Sequence, residues 1–371
     1  MILHLLTDNK FSEYVLQQFD GQEHSSDFII VSESKQLVHI DVETFNHYSI
    51  VSPNTIELDR VADRLMDYKA IIFHGLFWPW EEYLLKKKPQ GVKVAWMFWG
   101  GEIYGRKDLQ FSFLAPKTKC LLYLQQIKRF LKHRGMQSPS YEIPRSLFSQ
   151  VDYCLTDIEE EYLFASNYLS HKMGFLWYNY YSIEETLGSL FECRVEGDNV
   201  LIDNSGTISG NHLDIFQRLR RIDFQGRKVI VPLSYGEPWL INRLIKEGEK
   251  SFKSSFTPLT SFVPREQYNR ILASCSAVIM NHYRPQALGN IITALWIGAR
   301  VFMSERSIQY KYFKTKGIVL FSIEKELNLL CESSGTLSPT DIQSNRQILC
   351  SIYSKKVMNR KIIDLVSVLN S

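Results

Sequence analysis

Short apolar runs alternate with longer stretches of helical spacing along most of the chain. The runs are rich in β-branched and aromatic residues and end at polar or turn residues, a pattern typical of buried parallel strands that are joined by helices. The predicted strands are Ile2–Leu6, Phe28–Val31, Ala70–Phe73, Val92–Trp96, Tyr153–Leu155, Val200–Ile202, Lys228–Val231, Ala277–Met280, Arg300–Phe302 and Ile318–Phe321. The pattern therefore predicts an α/β protein with two parallel sheets in series.

The change from the first sheet to the second is predicted near residues 180–198, after the aromatic stretch Met173–Tyr181. The last segment opens with Ser338 and Pro339 and continues with isoleucines at helical spacing, which predicts one or two terminal helices. The predicted divisions are a first Rossmann-like domain over residues 1–185, a second over residues 186–337, and helices over residues 338–371 that pack on the assembly.

The composition excludes several classes of protein. Of 371 residues, 45% are hydrophobic and 22% are charged, which is typical of a folded chain and not of a disordered one. The net charge of +3 argues against a dedicated nucleic-acid-binding protein. No apolar stretch reaches the ~18 residues that a membrane-spanning helix needs. The six cysteines are scattered singly, so the sequence predicts neither a zinc site nor a disulfide framework and fits a reducing, cytoplasmic compartment.

Ligands of open parallel sheets bind at the carboxyl ends of the strands, so the residues after each predicted strand are the candidate site. In the second half, Asn204-Ser205-Gly206-Thr207 follows one strand and precedes a helix. Free backbone N–H groups and a helix N-terminus favour phosphate binding there, although an ordinary glycine turn explains the same residues. Neither the P-loop pattern nor the Gly-x-Gly-x-x-Gly dinucleotide pattern is present.

Two further strand ends in the second half carry candidate ligands of a nucleotide. Arg284 follows one strand and is suited to bidentate contact with a diphosphate, whereas a surface arginine on a loop is the alternative. Gln286, Gly289 and Asn290 come next, and Gly289 allows close approach of the backbone to a ligand. Ser234-Tyr235 follows another strand and is expected to line the nucleotide or sugar pocket.

In the first half, the candidate for acid–base chemistry is Glu102, which Trp99-Gly100-Gly101 places at a predicted strand end. A carboxylate buried beside aromatic residues has a raised pKa, which suits a general base near neutral pH. The alternative is that Glu102 stabilises the dipole of the helix that follows. His74 follows another strand and is the second candidate, although a histidine in that position is more often structural.

The segment between Lys86 and Arg134 carries twelve basic residues against two acidic ones. Leucine, isoleucine, tyrosine and phenylalanine are interleaved with the basic residues over Lys117–Arg134. This pattern predicts a helix that lies on an anionic membrane surface; a core helix with a solvated basic face and a nucleic-acid site are the alternatives. The candidate membrane residues are Lys117, Lys119, Lys128, Arg129, Lys132 and Arg134.

In chain order, the motifs at these strand ends resemble those of the 4-acetamidofucosyltransferases of enterobacterial common antigen synthesis. The resemblance covers about residues 70–310. Its motifs are His74-Gly75, Trp99 to Tyr104, Asn204-Ser205-Gly206 with Asn211-His212, Val231 to Gly236, and Arg284-x-Gln286-x-x-Gly289. Glu102, Ser234 and Ala287 stand where that family has aspartate, glycine and glycine, respectively.

The resemblance implies a GT-B fold: two facing Rossmann-like domains with parallel sheets and a C-terminal helical segment. It implies transfer of a 4-acetamido-4,6-dideoxyhexose from a dTDP-linked donor to an undecaprenyl-diphosphate-linked glycan at the inner face of the bacterial inner membrane. The second domain would hold the donor diphosphate through Asn204–Thr207, Arg284 and Gln286–Asn290. The first domain would hold the acceptor near Asp8, Trp99 and Tyr104, with Glu102 as the base and His74 behind it.

The expected partners are therefore a nucleotide sugar, the lipid-linked glycan and an anionic membrane surface, without nucleic acid. No cofactor and no metal are expected, because the Asp-x-Asp pattern of metal-dependent transferases is absent. Other interpretations stay open at this point. One is an enzyme of the same fold with a different nucleotide sugar, such as a UDP- or GDP-dependent transferase or an epimerase. Another is a non-catalytic scaffold at the membrane surface, which would give no donor-dependent product.

Overall fold

A computed structural model describes residues 1–19, 26–41, 45, 47–132, 141–331 and 335–371. Within these residues the chain forms two compact units, each built on one parallel sheet. As far as it is described, the first unit comprises residues 1–106, 139–182 and 355–371, and the second comprises residues 107–138 and 183–354. The predicted α/β class with two parallel sheets is confirmed.

The strands follow the apolar runs of the sequence. They are β1 Ile2–Thr7, β2 Ser26–Val31, β3 Tyr48–Val51, β4 Ala70–Phe73, β5 Lys93–Met97, β6 Tyr153–Thr156, β7 Gly174–Trp177, β8 Asn199–Ile202, β9 Val229–Pro232, β10 Phe256–Leu259, β11 Cys275–Met280, β12 Arg300–Met303 and β13 Phe321–Ser322.

The α-helices lie between the strands and at the end of the chain. They are α1 Ser12–Phe19, α2 Thr55–Arg64, α3 Pro79–Lys86, α4 Gly101–Tyr104, α5 Pro116–Lys132, α6 Glu159–Leu169, α7 Ile183–Leu187, α8 His212–Leu219, α9 Pro238–Phe252, α10 Arg265–Ala273, α11 Leu288–Ile297, α12 Ile308–Thr315, α13 Pro339–Tyr353 and α14 Lys355–Asn370. None of the helices in the described ranges is both long and apolar enough to cross a lipid bilayer.

The strand order places a topological switch point in the middle of each sheet. Among the described residues, the first sheet has the order β3-β2-β1-β4-β5-β6-β7 and the second β10-β9-β8-β11-β12-β13, with parallel pairing throughout. The order reverses between β1 and β4 and between β8 and β11. Ligands of doubly wound sheets bind at the carboxyl ends of the strands that flank such a reversal.

Each predicted strand overlaps an observed one, although β13 begins only at Phe321. The strands that the apolar pattern does not identify are β3, β7 and β10, and all of them lie at the edge of a sheet. Their residues are mostly half-buried, so they lack the continuous apolar run of a central strand. Pro258 in β10 fits an edge position, because proline cannot donate a ladder hydrogen bond.

The units divide the chain differently from the predicted domains at residues 107–138, which group with the second unit instead of the first. The physical reason lies at the start of α5. Thr118 Oγ1 donates to Asp214 Oδ2 of α8 at 2.8 Å, and Leu121 packs against the core of the second sheet. These contacts bind the basic helix to the second unit.

The terminal segment forms two helices, and they belong to different units. Helix α13 stays with the second unit, where Asn345 hydrogen-bonds the backbone of Val319. Helix α14 returns to the first unit and places Ile362 and Leu369 in the core of its sheet. Lys93 Nζ donates to the carbonyl oxygen of Val368 at 2.8 Å, which ties the end of α14 to β5.

The six cysteines are all free thiols. Cys154 and Cys275 are buried within strands, and the other four are partly or fully exposed. The cores of both units are therefore held by apolar packing, without cross-links.

Candidate active site

A buried carboxylate between two histidines lies at the switch point of the second sheet. Asp203 directly follows β8, and its Oδ1 accepts hydrogen bonds from His282 Nε2 at 2.9 Å and from the backbone N of Asn204 at 2.5 Å. Its Oδ2 is 3.4 Å from Nε2 of His212, the first residue of α8. All three side chains are almost fully buried. The cluster therefore joins the ends of β8 and β11 to the start of α8.

The electrostatics of this cluster favour an ionised carboxylate. Burial raises the pKa of Asp203, but the charges of His282 and His212 and the hydrogen bonds to Oδ1 outweigh it, so the pKa falls to about 2. Asp203 also has a backbone φ of 64°, in the left-handed region that few residues other than glycine adopt. A Cβ at Gly210 would lie 1.8 Å from Asp203 Oδ2, so the chain needs glycine there.

The loop that Asp203 begins brings most of the predicted donor residues together. Asn204 Nδ2 donates to the Tyr235 hydroxyl at 2.9 Å, and Asn204 Oδ1 accepts from Gln286 Nε2 at 3.4 Å. Ser209 Oγ donates to Gln286 Oε1 at 2.7 Å and lies 3.4 Å from Arg284 Nη2. The hydroxyl chain is completed by Ser205, Thr207 and Ser209, with oxygen separations of 3.0 and 3.3 Å. We call Asn204, Ser209, Tyr235, Arg284 and Gln286 the donor cluster.

Two glycines allow the loops after β8 and β9 to touch. Gly206 N donates to the carbonyl oxygen of Tyr235 at 2.8 Å. Gly236 has a φ of 132°, and a Cβ there would lie 2.2 Å from the carbonyl oxygen of Gly206. Ser234 is exposed beside this contact and lies outside the donor cluster.

The start of α11 contributes backbone N–H groups to the same edge of the sheet. Ala287 is the N-cap residue and has a φ of 59°, in the left-handed region that glycine adopts most readily. Gly289 lies in the first turn, which carries no acidic side chain. The Asn290 side chain donates to the hydroxyl of Tyr268 at 3.0 Å, so it braces α11 against α10 and is not part of the donor cluster.

At the switch point of the first sheet, His74 belongs to a buried hydrogen-bonded chain. Its Nε2 is 3.1 Å from Nδ1 of His4, and its Nδ1 is 3.3 Å from the hydroxyl of Tyr180. The same hydroxyl accepts from Trp99 Nε1 at 2.6 Å. Burial lowers the pKa of His74 to about 3, so its imidazole is neutral and a weak base. These contacts favour a role for His74 in positioning Tyr180 and Trp99.

Glu102 lies in the first turn of α4 and is only 6% exposed. Its Oε1 accepts from Trp96 Nε1 at 3.2 Å and from the backbone N of Trp99 at 3.3 Å, while Oε2 has no hydrogen-bond partner among the described residues. Burial raises the pKa of Glu102 to about 7, although these hydrogen bonds lower it. Glu102 therefore lies where its charge can stabilise the start of α4. Its raised pKa also suits a general base near neutral pH.

Two of the predicted acceptor residues use their polar atoms in hydrogen bonds within the protein. Both carboxylate oxygens of Asp8 accept backbone hydrogen bonds, from Val38 N at 2.7 Å and His39 N at 2.9 Å. Tyr104 is 4% exposed, and its hydroxyl donates to Glu161 Oε1 at 3.2 Å. The third predicted acceptor residue, Trp99, is half-buried at the strand ends. Its ring centroid lies 5.0 Å from that of Phe11.

Five of the six predicted membrane residues, Lys117, Lys119, Lys128, Arg129 and Lys132, lie on α5, in the second unit. Lys117, Lys128 and Arg129 are exposed and Lys119 is half-exposed. The side chain of Lys132 and the whole of Arg134 lie outside the described residues. Beside the basic residues, α5 exposes large apolar side chains, with fractional exposures from 39% to 71%: Tyr123, Leu124, Ile127, Phe130 and Leu131.

Sequence reasoning assigned no role to four residues that contact the candidate site residues: His4, Tyr180, Asp203 and His282. Asp203 and His282 each follow a predicted strand, which was the available signal. Their pairing was not predictable, because 79 positions separate them along the chain. Tyr180 follows β7, an edge strand without a continuous apolar run, so its strand-end position was hidden.

Within the described ranges, no group of three His, Cys, Asp or Glu side chains has the geometry to hold a metal ion. The expected independence from metals stays a prediction.

Comparison with solved structures shows that the chain has the GT-B fold of nucleotide-sugar glycosyltransferases, which confirms the predicted fold class. Sucrose-phosphate synthase from Thermosynechococcus elongatus matches with a TM-score of 0.65 at 9% identity, over 99% of this chain and 98% of that one. HepE of Anabaena, solved with UDP and glucose, matches with a TM-score of 0.63 at 10% identity, over 99% of both chains. The lipopolysaccharide outer core galactosyltransferase WaaB matches with a TM-score of 0.61 at 8% identity, over 99% of both chains.

No protein-family model and no curated protein sequence matches the chain. The predicted membership of the 4-acetamidofucosyltransferase family therefore has no support beyond the motifs, whereas the coarser assignment to the GT-B glycosyltransferase fold holds.

Proposed function

We propose that this protein is a glycosyltransferase that moves a 4-acetamido-4,6-dideoxyhexose from a dTDP-linked donor to an undecaprenyl-diphosphate-linked glycan. The observation that carries the proposal is the donor cluster at the switch point of the second sheet. It gathers one arginine, amide and hydroxyl groups and a nearby helix start in a fold that glycosyltransferases use. The particular sugar and acceptor rest on the strand-end motifs.

The donor cluster suits the chemistry of glycosyl transfer. Negative charge builds on the departing diphosphate while the sugar passes through an oxocarbenium-like state. Arg284, the N–H groups near Gly289 and the amides of residues 204–207 stabilise that charge in this mechanism. Such groups are worth most when they are held in place before the reaction, which the hydrogen bonds of Asn204 and Gln286 achieve.

The acceptor hydroxyl must lose a proton during the transfer, and Glu102 is the proposed base. Its raised pKa and its unpartnered Oε2 support that role. His74, with its low pKa, is proposed to position Tyr180 and Trp99.

A metal is not required in this mechanism, so we expect EDTA to leave turnover unchanged. Loss of turnover that Mg²⁺ restores would contradict this expectation.

Replacing Arg284 with alanine should weaken the binding of a free nucleoside diphosphate by about 10- to 100-fold, because a charged hydrogen bond contributes roughly 1.5–3 kcal/mol. The affinity of the purified variant is measured by calorimetry. Arg270→Ala removes an exposed arginine of α10 in the same unit and serves as the matched control. Equal affinities of wild type and Arg284→Ala would remove Arg284 from the diphosphate site.

The donor base is tested by saturation-transfer NMR with dTDP, UDP, GDP and CMP. Selective binding of dTDP supports the proposed donor. UDP is the second candidate, because the similar protein HepE was solved with UDP and with UDP-glucose. Preference for UDP would keep glycosyl transfer and replace the proposed sugar, and binding of none would favour a non-catalytic scaffold.

The proposed acceptor is a lipid-linked glycan, and α5 has the surface of a helix that docks on a membrane. At about 100° per residue, its five exposed apolar side chains fall within an arc of about 120°. Lys119 borders one side of that arc, and Lys117 and Lys128 border the other. Thr118, on the opposite side of the helix, is buried against the second unit. An apolar face flanked by lysines fits an anionic bilayer, where the rings and leucines enter the interface and the ammonium groups meet phosphates.

Replacing Phe130 and Leu131 together with serine should weaken binding to mixed phosphatidylcholine and phosphatidylglycerol vesicles by about tenfold or more, because each buried apolar side chain contributes roughly 1.5–3 kcal/mol. Co-sedimentation measures the bound fraction. Phe262→Ser together with Ile363→Ser removes two exposed apolar side chains outside α5 and is the control. Equal binding of the two double variants would remove α5 from the membrane contact.

A further inference from the structure

A groove with an apolar floor runs along the flank of α5 in the second unit. It lies between α5, α8 and α9 and has a volume of about 480 Å³. Leu121, Leu124, Leu213 and Phe216 line its floor. Leu124 is half-exposed and also belongs to the apolar face that α5 presents to solvent. The groove is therefore continuous with the proposed membrane-docking face.

The rim of this groove is strongly basic. Its charged side chains are Lys117, Arg220, Arg243, Glu247, Lys250 and Lys253. Glu247 is the acidic member, and it is paired with Arg243 at 2.9 Å. Among the described residues, the other four cations form no ion pair within the rim. As far as the structure is described, the rim thus holds four positive charges that no acidic side chain of the rim pairs with.

The combination of an apolar floor and a cationic rim selects an amphiphilic anion. A polyanion such as nucleic acid gains nothing from a leucine floor, and the aromatic ring in the groove, Phe216, is almost fully buried and unable to stack on bases. A fully apolar ligand would leave the rim charges without partners. The volume falls in the range of roughly 300–1,000 Å³ typical of small-ligand sites. A phosphate head group with the first part of an acyl chain satisfies the charge, the floor and the size.

We propose that this groove binds one anionic phospholipid molecule, with its phosphate at the basic rim and an acyl chain along the leucine floor. The proposal deepens the membrane docking of α5 and rests on that part of the proposed function. Docking of α5 brings the protein to any anionic bilayer, whereas the groove takes up a single lipid and holds the second unit at a fixed depth and orientation. The charges then act at short range on one phosphate as well as through the surface potential.

The test uses the full chain and monomeric short-chain lipids, which separate the groove from a bilayer. Binding of dihexanoyl-phosphatidylglycerol and dihexanoyl-phosphatidylcholine is measured by calorimetry below the concentrations at which they form micelles. We expect the wild type to bind the anionic lipid at least about tenfold more tightly, since each charged hydrogen bond contributes roughly 1.5–3 kcal/mol. Equal affinity for the two lipids would overturn the proposal.

Variants locate the binding. Arg220→Gln together with Lys250→Gln should abolish the preference for the anionic lipid. Arg221→Gln together with Lys246→Gln makes the same change of charge next to α8 and on α9, at exposed residues outside the groove, and should retain the preference. Glu247→Gln frees Arg243 and should raise the affinity for the anionic lipid a few-fold. An unchanged preference in the Arg220/Lys250 variant would overturn the proposal.

The proposal for the groove and the proposal for the docking face can be contradicted independently. Phe130 and Leu131 do not line the groove, so their serine double variant should lose vesicle binding and keep the affinity for the monomeric anionic lipid. Vesicle binding without discrimination between the monomers would remove the groove and leave the docking of α5. Discrimination between the monomers without vesicle binding would remove the docking of α5 and leave the groove.

Discussion

Replacing Glu102 with glutamine should lower the turnover number by ~10²–10⁴-fold while leaving nucleotide binding unchanged, because the amide cannot take a proton from the acceptor hydroxyl. The fold should survive, since the amide oxygen can still accept from Trp96 Nε1 and Trp99 N. Turnover is measured with saturating donor and acceptor, and the affinity for the nucleoside diphosphate is measured separately. Unchanged turnover would exclude Glu102 as the base.

The pH profile gives this prediction a second readout. A base must be ionised, and the pKa of Glu102 is about 7, so wild-type turnover should rise as the pH increases through about 7 and level off above it. This rise of turnover with pH should disappear in Glu102→Gln. Glu81 is the matched control, because it is also a buried carboxyl group, with a pKa that burial raises to about 8, and its Oε2 accepts from Trp78 N at 2.8 Å.

Burial is the main cause of the raised pKa of Glu81, and the charge of Glu102 raises it further. Glu81 has the higher pKa and is still protonated where Glu102 ionises, so Glu81→Gln should retain turnover and leave the rise of turnover near pH 7. A loss of turnover in Glu81→Gln as large as in Glu102→Gln would show that the effect comes from disturbing the buried pair and not from loss of a base.

Replacing Asp203 with alanine should lower the free energy of unfolding by about 3–5 kcal/mol, the usual effect of removing one partner from a buried ionic cluster. The carboxylate accepts hydrogen bonds from His282 Nε2 and from the backbone N of Asn204, and its Oδ2 lies 3.4 Å from His212 Nε2. Urea unfolding followed by circular dichroism measures the change. Nucleotide affinity should fall as well, because the loop of Asn204 begins at this residue.

The same carboxylate predicts a dependence of stability on acid. Its pKa is lowered from 3.8 to about 2 by folding, so its stabilising contribution is complete above about pH 4 and is lost as the pH falls towards 2. The lowering corresponds to on the order of 2 kcal/mol. Asp203→Asn should lack this part of the acid dependence. If Asp203→Ala unfolded and bound nucleotide as the wild type does, the cluster would not organise the loop.

The sequence predicts the centre of each sheet better than its edges. Ala70–Phe73 and Ala277–Met280 are buried on both faces, so their apolar runs are continuous and their strand ends are visible. Tyr48–Val51 and Phe256–Leu259 lie at edges, where half of each strand meets solvent and the run breaks up. The strands that flank the switch points are central strands. Their carboxyl ends, where ligands of such sheets bind, could therefore be predicted.

The candidate site was predictable as a set of positions but not as a set of contacts. Asn204, Arg284 and Gln286 were identified because polar residues followed buried strands, and the structure joins them. Asp8 and Tyr104 satisfied the same rule and have structural contacts, because strand-end position does not determine where a side chain points. Pairings across the sheet, such as His74 with Tyr180, depend on tertiary structure and leave no local pattern.

The return of α14 to the first unit has a consequence for how the protein folds during synthesis. A ribosome makes the chain from its N-terminus, so the strands of the first sheet emerge long before residues 355–370. Until residues 355–370 emerge, the surface that Ile362, Leu365, Val366 and Leu369 later cover stays open to water. The second unit, whose last helix ends at Tyr353, therefore has all of its segments before the first unit does. The part that is made first becomes complete last.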